Sequence, residues 1–106
     1  MLLCSCGQKH KAAALAEDFV EEYAIEPEKL IDRDYCHFDS TRVISDSLIR
    51  MMQQRSHPLF KQPIPYPVAS AGRMLYLVRM NYVYDHDTLT QTFYIDEQME
   101  HVVAFK

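Results

Sequence analysis

The chain has 106 residues, 48% of them hydrophobic and 25% charged, which is ordinary for one globular domain with a single modest core. Two glycines and no low-complexity tract argue against a disordered chain, and no apolar run approaches the ~20 residues that span a bilayer as a helix. A net charge of −4 and a pI near 5.6 argue against a nucleic-acid surface, which needs clustered Lys and Arg.

Residues 7–10 read as a short tether, and the periodicity predicts a helix from about Lys11 to Ala24. Leu15, Phe19 and Tyr23 recur every four residues beside Ala12, Ala16 and Val20, giving one apolar stripe to bury. Glu17, Asp18, Glu21 and Glu22 lie partly or wholly off that stripe. Lys9, His10 and Lys11 at the start, and Glu21 and Glu22 near the end, oppose the helix dipole by roughly 0.3–1 kcal/mol per exposed charge. Pro27 ends the helix and disfavours helical geometry at Glu26.

Leu30 to Phe38 reads as a short edge strand or extended segment, because Leu30, Cys36 and Phe38 share a parity that Asp32 and Asp34 interrupt. Asp39, Ser40 and Thr41 are N-cap candidates for a second helix from about Arg42 to Gln54. Its expected apolar face is Ile44, Leu48, Met51 and Met52, with Val43 alongside. From His57 to Val68 four prolines forbid a helix, while Leu59, Phe60, Ile64 and Tyr66 give the segment something to bury. It is either a flap over one edge of the core or a segment that binds a partner.

The last third is the clearest β region. From Met74 to Tyr84 the even positions Met74, Tyr76, Val78, Met80, Tyr82 and Tyr84 are apolar or aromatic, and the odd ones include Arg79 and Asn81. The alternation predicts a strand with its even face inward. Leu75 and Leu77 break the polar face, so that end should be covered too. Asp85-His86-Asp87-Thr88 reads as a polar turn, Leu89 to Ile95 as a second strand, Asp96-Glu97-Gln98 as another turn, and Met99 to Phe105 as a third strand. Short turns permit only antiparallel neighbours.

At the N-terminus, Leu3-Cys4-Ser5-Cys6-Gly7 places an apolar and small residues before a cysteine. With the Lys- and Ala-rich stretch from Lys9 to Tyr23 and the Phe93-Tyr94-Ile95-Asp96 strand end, the layout resembles small bacterial lipoproteins of uncharacterised function from Gram-negative gut anaerobes. The resemblance implies that Cys6 carries the lipid, that residues 1–5 leave with the signal, and that the protein faces the periplasm or the cell surface. The helix-then-meander layout is also similar to cystatin-like and NTF2-like α+β rolls, which host both enzymes and binding modules. Read from the residues alone, the other possibility is a soluble cytoplasmic domain whose Cys4 and Cys6 are reduced thiols.

Three cysteines close no complete disulfide framework. Cys36-His37 is the obvious candidate for nucleophile and base, but neighbours on a strand point to opposite faces, so Cys36 would need His86 or His101 from elsewhere. Cys36 reads more simply as a small buried apolar residue. Cys4, Cys6, His10, Cys36 and His37 are ligand types without the paired spacings of structural zinc sites, so no metal is expected. His101 is expected at the edge of the core. Tyr76, Tyr82 and Tyr84 with Met74 and Met80 are either plain core or the lining of a pocket under the first helix, and buried tyrosine hydroxyls would need partners there.

The expectation is a single α+β domain over residues 7–106, with residues 1–6 as a signal remnant and lipid-attachment cysteine. An N-terminal helix and a second helix pack on a three- or four-stranded antiparallel sheet. Three functions fit. The first is a non-catalytic envelope module, bound to the membrane through a lipid on Cys6, that takes a protein or small ligand without a cofactor or nucleic acid. The second is a soluble cytoplasmic binding or immunity-type inhibitor domain. The third is a small roll enzyme using a pocket under the first helix.

Overall fold

Nothing between Leu2 and Ala24 forbids a helix. There is no proline, and the one glycine, Gly7, costs only about 1 kcal/mol relative to alanine. In a computed structural model, which describes residues 2–42, 44–66 and 74–106 and side chains from Gly7 onward, α1 accordingly runs Leu2–Tyr23. The expected tether at residues 7–10 is therefore helical, and the boundary between residues 6 and 7 falls inside α1. Lys9, His10 and Lys11 sit beyond its first turn, where the dipole effect has faded. Val43, expected beside the second helix, and Pro67 and Val68 of the proline segment lie outside the described residues, as do the side chains of Cys4 and Cys6.

Four antiparallel strands follow, in the sheet order β1-β2-β3-β4, which is also the chain order. They are β1 Ile31–Thr41, β2 Leu75–Tyr84, β3 Asp87–Ile95 and β4 Val102–Phe105, with α2 at Asp46–Gln54 between β1 and β2. The chain is thus an α+β fold, with two helices among the described residues packed on a four-stranded antiparallel sheet.

The broken parity of β1 comes from two bulges. Asp32 and His37 have positive φ, 52° and 53°. At each, an extra residue enters the pairing with β2, between Ile31↔Val83 and Asp34↔Asn81 and again between Cys36↔Arg79 and Asp39↔Leu77. A bulge moves the following residues to the other face. Tyr35 therefore pairs with Met80 on the α1 side, while Cys36 pairs with Arg79 on the opposite side. β1 is eleven residues long, longer than the short segment expected.

The even face of β2 packs under α1 as its alternation implies. Val78, Met80 and Tyr82 are buried and Arg79 is exposed, while Asn81 is half-buried. The helix presents Ala12, Ala16 and Val20 at zero exposure, so the centre of its apolar stripe is the small residues, which let it approach the sheet closely. Leu15 and Tyr23 are only partly buried, on the flank. Met80 and Tyr82 fill the core, and the Tyr82 hydroxyl donates to Gln91 Oε1 at 2.5 Å.

The second helix covers the opposite face at the Leu75 end of β2. Ile49 and Met52 form a second cluster with Leu75, Tyr94, Val103 and Ala104. This corrects the expected face, since Leu48 and Met51 are exposed. Ser45 caps the helix by accepting from the Leu48 N–H at 3.2 Å, whereas the expected caps Asp39, Ser40 and Thr41 belong to the end of β1. With the start fixed at Ser45, Ile44 and Ile49 stand at the positions of a hydrophobic staple and turn Ile49 inward. Gln53 Nε2 then donates to the Val103 carbonyl at 2.9 Å.

The β2–β3 turn is tighter than the four residues expected. Asp85 and His86 both have positive φ, 51° and 70°, and Tyr84 already pairs with Asp87. A two-residue loop of that kind matches the twist of its strands. The last strand is shorter than expected, because Met99 has φ 58° and Asp96 Oδ1 accepts from the N–H groups of Glu100 and His101 at 2.7 and 3.1 Å. His101 is exposed in that loop and not at the core edge.

Candidate functional site

Just beyond the end of α1 the proline segment returns along it. Lys61 N–H donates to the Tyr23 carbonyl at 2.7 Å, Ile25 N–H donates to the Leu59 carbonyl at 2.9 Å, and Phe60 is buried in the main core. Phe60 thus anchors the segment as a flap over the core. Past that anchor Tyr66 stacks on Phe19 of α1, and Ile64, Pro65 and Tyr66 leave the rest of the helix flank uncovered. Between them and the helix lies a half-open cleft of about 400 Å³.

The α1 wall of the cleft is Leu15, Asp18, Phe19, Glu22 and Tyr23. Leu15, Phe19 and Tyr23 stand four apart, as do Asp18 and Glu22, so the two rows run side by side along the helix. Phe19 makes the floor. Its ring lies 6.1 Å from Tyr66 in a stacked arrangement and 5.0 Å from Tyr23. Burial first, and the neighbouring Glu22 carboxylate second, push the Tyr23 hydroxyl above its ordinary pKa. Burial first and Tyr23 second do the same to Tyr66. Both hydroxyls therefore remain protonated at neutral pH. His101 and Val102 close the far end, with His101 held by the Asp96 loop.

The acidic face of α1 divides in two. Arg33, carried to the helix side of β1 by the first bulge, donates from Nη1 to Glu17 Oε2 and Glu21 Oε2, each at 2.7 Å. It also donates to the carbonyls of Pro27 and Leu30, and Glu17 Oε1 accepts from the Tyr35 hydroxyl at 2.5 Å. Burial first, and the Glu17 carboxylate second, push the Tyr35 pKa well up. Asp18 and Glu22 make no ion pair among the described residues and stand on the cleft side.

Elsewhere, described residues line two smaller cavities. One of about 270 Å³ is lined by Arg55, His57, Leu89, Gln91 and Phe105 among others. Burial lowers the His57 pKa, with the Gln91 side chain partly opposing it, and His57 Nδ1 accepts from the Leu59 N–H at 3.1 Å. The other, about 190 Å³, lies among Ile25, Leu30, Leu59 and Tyr84.

Of the sequence candidates, Cys6 lies in the N-terminal part of α1. Cys36 is half-buried on the sheet face away from α1, where Asn81 Nδ2 lies 3.4 Å from its Sγ. His37 is exposed at a bulge, His86 in the β2–β3 turn and His101 at the cleft. Among the described residues no three His, Cys, Asp or Glu side chains come together as metal ligands. Met74, Tyr76 and Tyr82 line none of these cavities, and Tyr84 lines only the smallest. Sequence reasoning missed Asp18, Glu22, Tyr66 and His101 as a group. The usable signal was that Asp18 and Glu22 each precede a residue of the Leu15–Phe19–Tyr23 row by one position, which puts a carboxylate edge beside an aromatic one. No protein-family model, curated protein or solved structure matches this chain.

Proposed function

We propose that the protein is a non-catalytic binding module of the bacterial cell envelope, held to the membrane by a lipid on Cys6, with its ligand in the cleft between α1 and Ile64–Tyr66. The observation that carries the binding role is the cleft itself. Its volume of about 400 Å³ falls within the range of small-molecule sites, and it has an aromatic floor with polar groups at its rim. The anchor rests on the likeness of Leu3-Cys4-Ser5-Cys6-Gly7 to a lipoprotein signal end. On this reading α1 is a stalk. Leu15 to Tyr23 lie nine to seventeen positions beyond Cys6, about 14–26 Å along a helix rising 1.5 Å per residue, so the cleft stands clear of the head groups.

Two measurements test the two parts. The protein expressed from its native locus should carry a lipid mass on Cys6 and enter the detergent phase, since each buried CH₂ adds about 0.8 kcal/mol and more than one chain gives stable anchoring. Cys6→Ser should abolish this and Cys36→Ser should not. An unmodified chain that stays in the cytoplasm refutes the anchor and leaves a soluble binding domain. Binding is read from amide shifts in a small-molecule screen. Hits should move Leu15–Tyr23, Ile64–Tyr66 and His101, and Tyr66→Ala should remove them. A screen with no perturbation there refutes the cleft as a site.

A further inference from the structure

We infer that the cleft selects a small cationic amphiphile, an ammonium group carried on an apolar or aromatic stem. The inference deepens the binding role just proposed and rests on it. Arg33 engages Glu17 and Glu21 and leaves Asp18 and Glu22, one helical turn apart, at the cleft without an ion pair among the described residues. Among the described residues no Lys or Arg lines the cleft; Lys61 is directed to the Glu22 backbone carbonyl at 3.3 Å and does not line it. A cation entering the cleft therefore meets the Asp18 and Glu22 carboxylates beside the rings of Phe19, Tyr23 and Tyr66, and an aromatic ring attracts a cation through its quadrupole. An anion meets repulsion from the carboxylates, with His101 the only basic side chain along the walls among the described residues. Ile64, Pro65 and Val102 give the stem an apolar wall. The half-open shape and modest volume suit a small molecule and not a folded partner.

A matched set of probes tests this: 4-phenylbutylamine, 4-phenylbutan-1-ol and 4-phenylbutanoate, titrated against the full chain and followed by amide chemical shifts of Leu15–Tyr23 and Ile64–Tyr66. The amine should bind about three- to tenfold more tightly than the alcohol, as a cation beside partly exposed rings and carboxylates does. The carboxylate should bind more weakly than the alcohol. In Asp18→Asn/Glu22→Gln, both exposed positions, the amine's advantage over the alcohol should disappear, while amide shifts outside the cleft, which report the fold, stay those of the unaltered chain. Equal binding of amine and alcohol in the unaltered protein overturns the charge selection but leaves the cleft as a site. Retention of the amine's advantage in the double variant overturns the role of Asp18 and Glu22. Failure of all three probes to move any cleft amide overturns both this inference and the binding role.

Discussion

Replacing Arg33 with alanine asks whether one guanidinium holds the corner between α1 and β1. The Arg33 side chain is 13% exposed, and its acceptors are of two kinds. The Glu17 and Glu21 side chains are 42% and 56% exposed, so solvent screens them, and each ion pair contributes about 0.5 kcal/mol. The carbonyls of Pro27 and Leu30 accept from a charged donor in a half-buried setting, and each such bond contributes about 1.5 kcal/mol. Arg33→Ala should therefore lower the unfolding free energy by about 3–4 kcal/mol, a large share of the roughly 5–15 kcal/mol typical of a domain. Urea denaturation followed by far-UV circular dichroism measures this, with the slope unchanged. Glu21→Gln should cost less than about 1 kcal/mol, and salt at about 1 M should remove only that smaller part. Arg33→Lys should recover little, because an ammonium cannot direct separate nitrogens to carbonyls and carboxylates in one plane. An Arg33→Ala cost within about 0.5 kcal/mol of zero, or a Glu21→Gln cost equal to it, would refute the assignment of the load to the carbonyls.

Met80, fully buried under α1, should lose about 2–5 kcal/mol on truncation to alanine, whereas Arg79→Ala on the exposed face should stay within about 0.5 kcal/mol; equal costs in a denaturation series would mean the sheet faces are reversed. Ser45→Ala removes the α2 cap and should cost about 1 kcal/mol by the same assay, with Ser40→Ala, on β1, leaving amide exchange within α2 unchanged. His57 has its pKa lowered by burial, so as pH falls through the ordinary histidine value near 6.5 the unfolded chain takes up a proton that the folded chain does not. Stability should therefore be complete above that pH, decline below it until the folded pKa is passed, and then level off. His57→Gln should remove this step from the pH–stability curve, and an unchanged curve in the variant would assign the step to another group.

The chain's order of elements was legible because its longest periodic stretches carry one signal each. Met74 to Tyr84 alternates cleanly, and Leu89 to Ile95 repeats the pattern next to a turn, so an antiparallel pair follows directly. Leu75 and Leu77, which break that alternation, correctly marked the patch that α2 covers. What failed had competing local signals. In the second helix both Leu48–Met51 and Ile49–Met52 are apolar pairs three apart, and only the Ser45 cap decides which turns inward. In β1 no parity rule survives two bulges, since Asp32 and His37 each reset the register. At the C-terminal end Met99 looked like strand, but an Asp96 side chain bonded to two backbone N–H groups holds residues 96–101 as a loop. The cleft was legible only in half. Its helix wall follows from spacing along α1, but the approach of Ile64–Tyr66 depends on Phe60 entering the core, a long-range contact that no local pattern encodes.

The two bulges of β1 also bear on how copies of this protein behave when crowded together. β1 is at one edge of the sheet, and an edge with regular hydrogen-bonding groups invites another chain to add a strand. Here the left-handed residues Asp32 and His37 interrupt that edge, leaving only short regular runs between them. Asp32, Asp34 and Asp39 are exposed along the same strand, so a second copy meeting it in register would bring like charges together. The opposite edge, β4, is four residues long. The distortions that bring Arg33 and Tyr35 onto α1 thus also discourage the sheet from growing into fibres at high concentration.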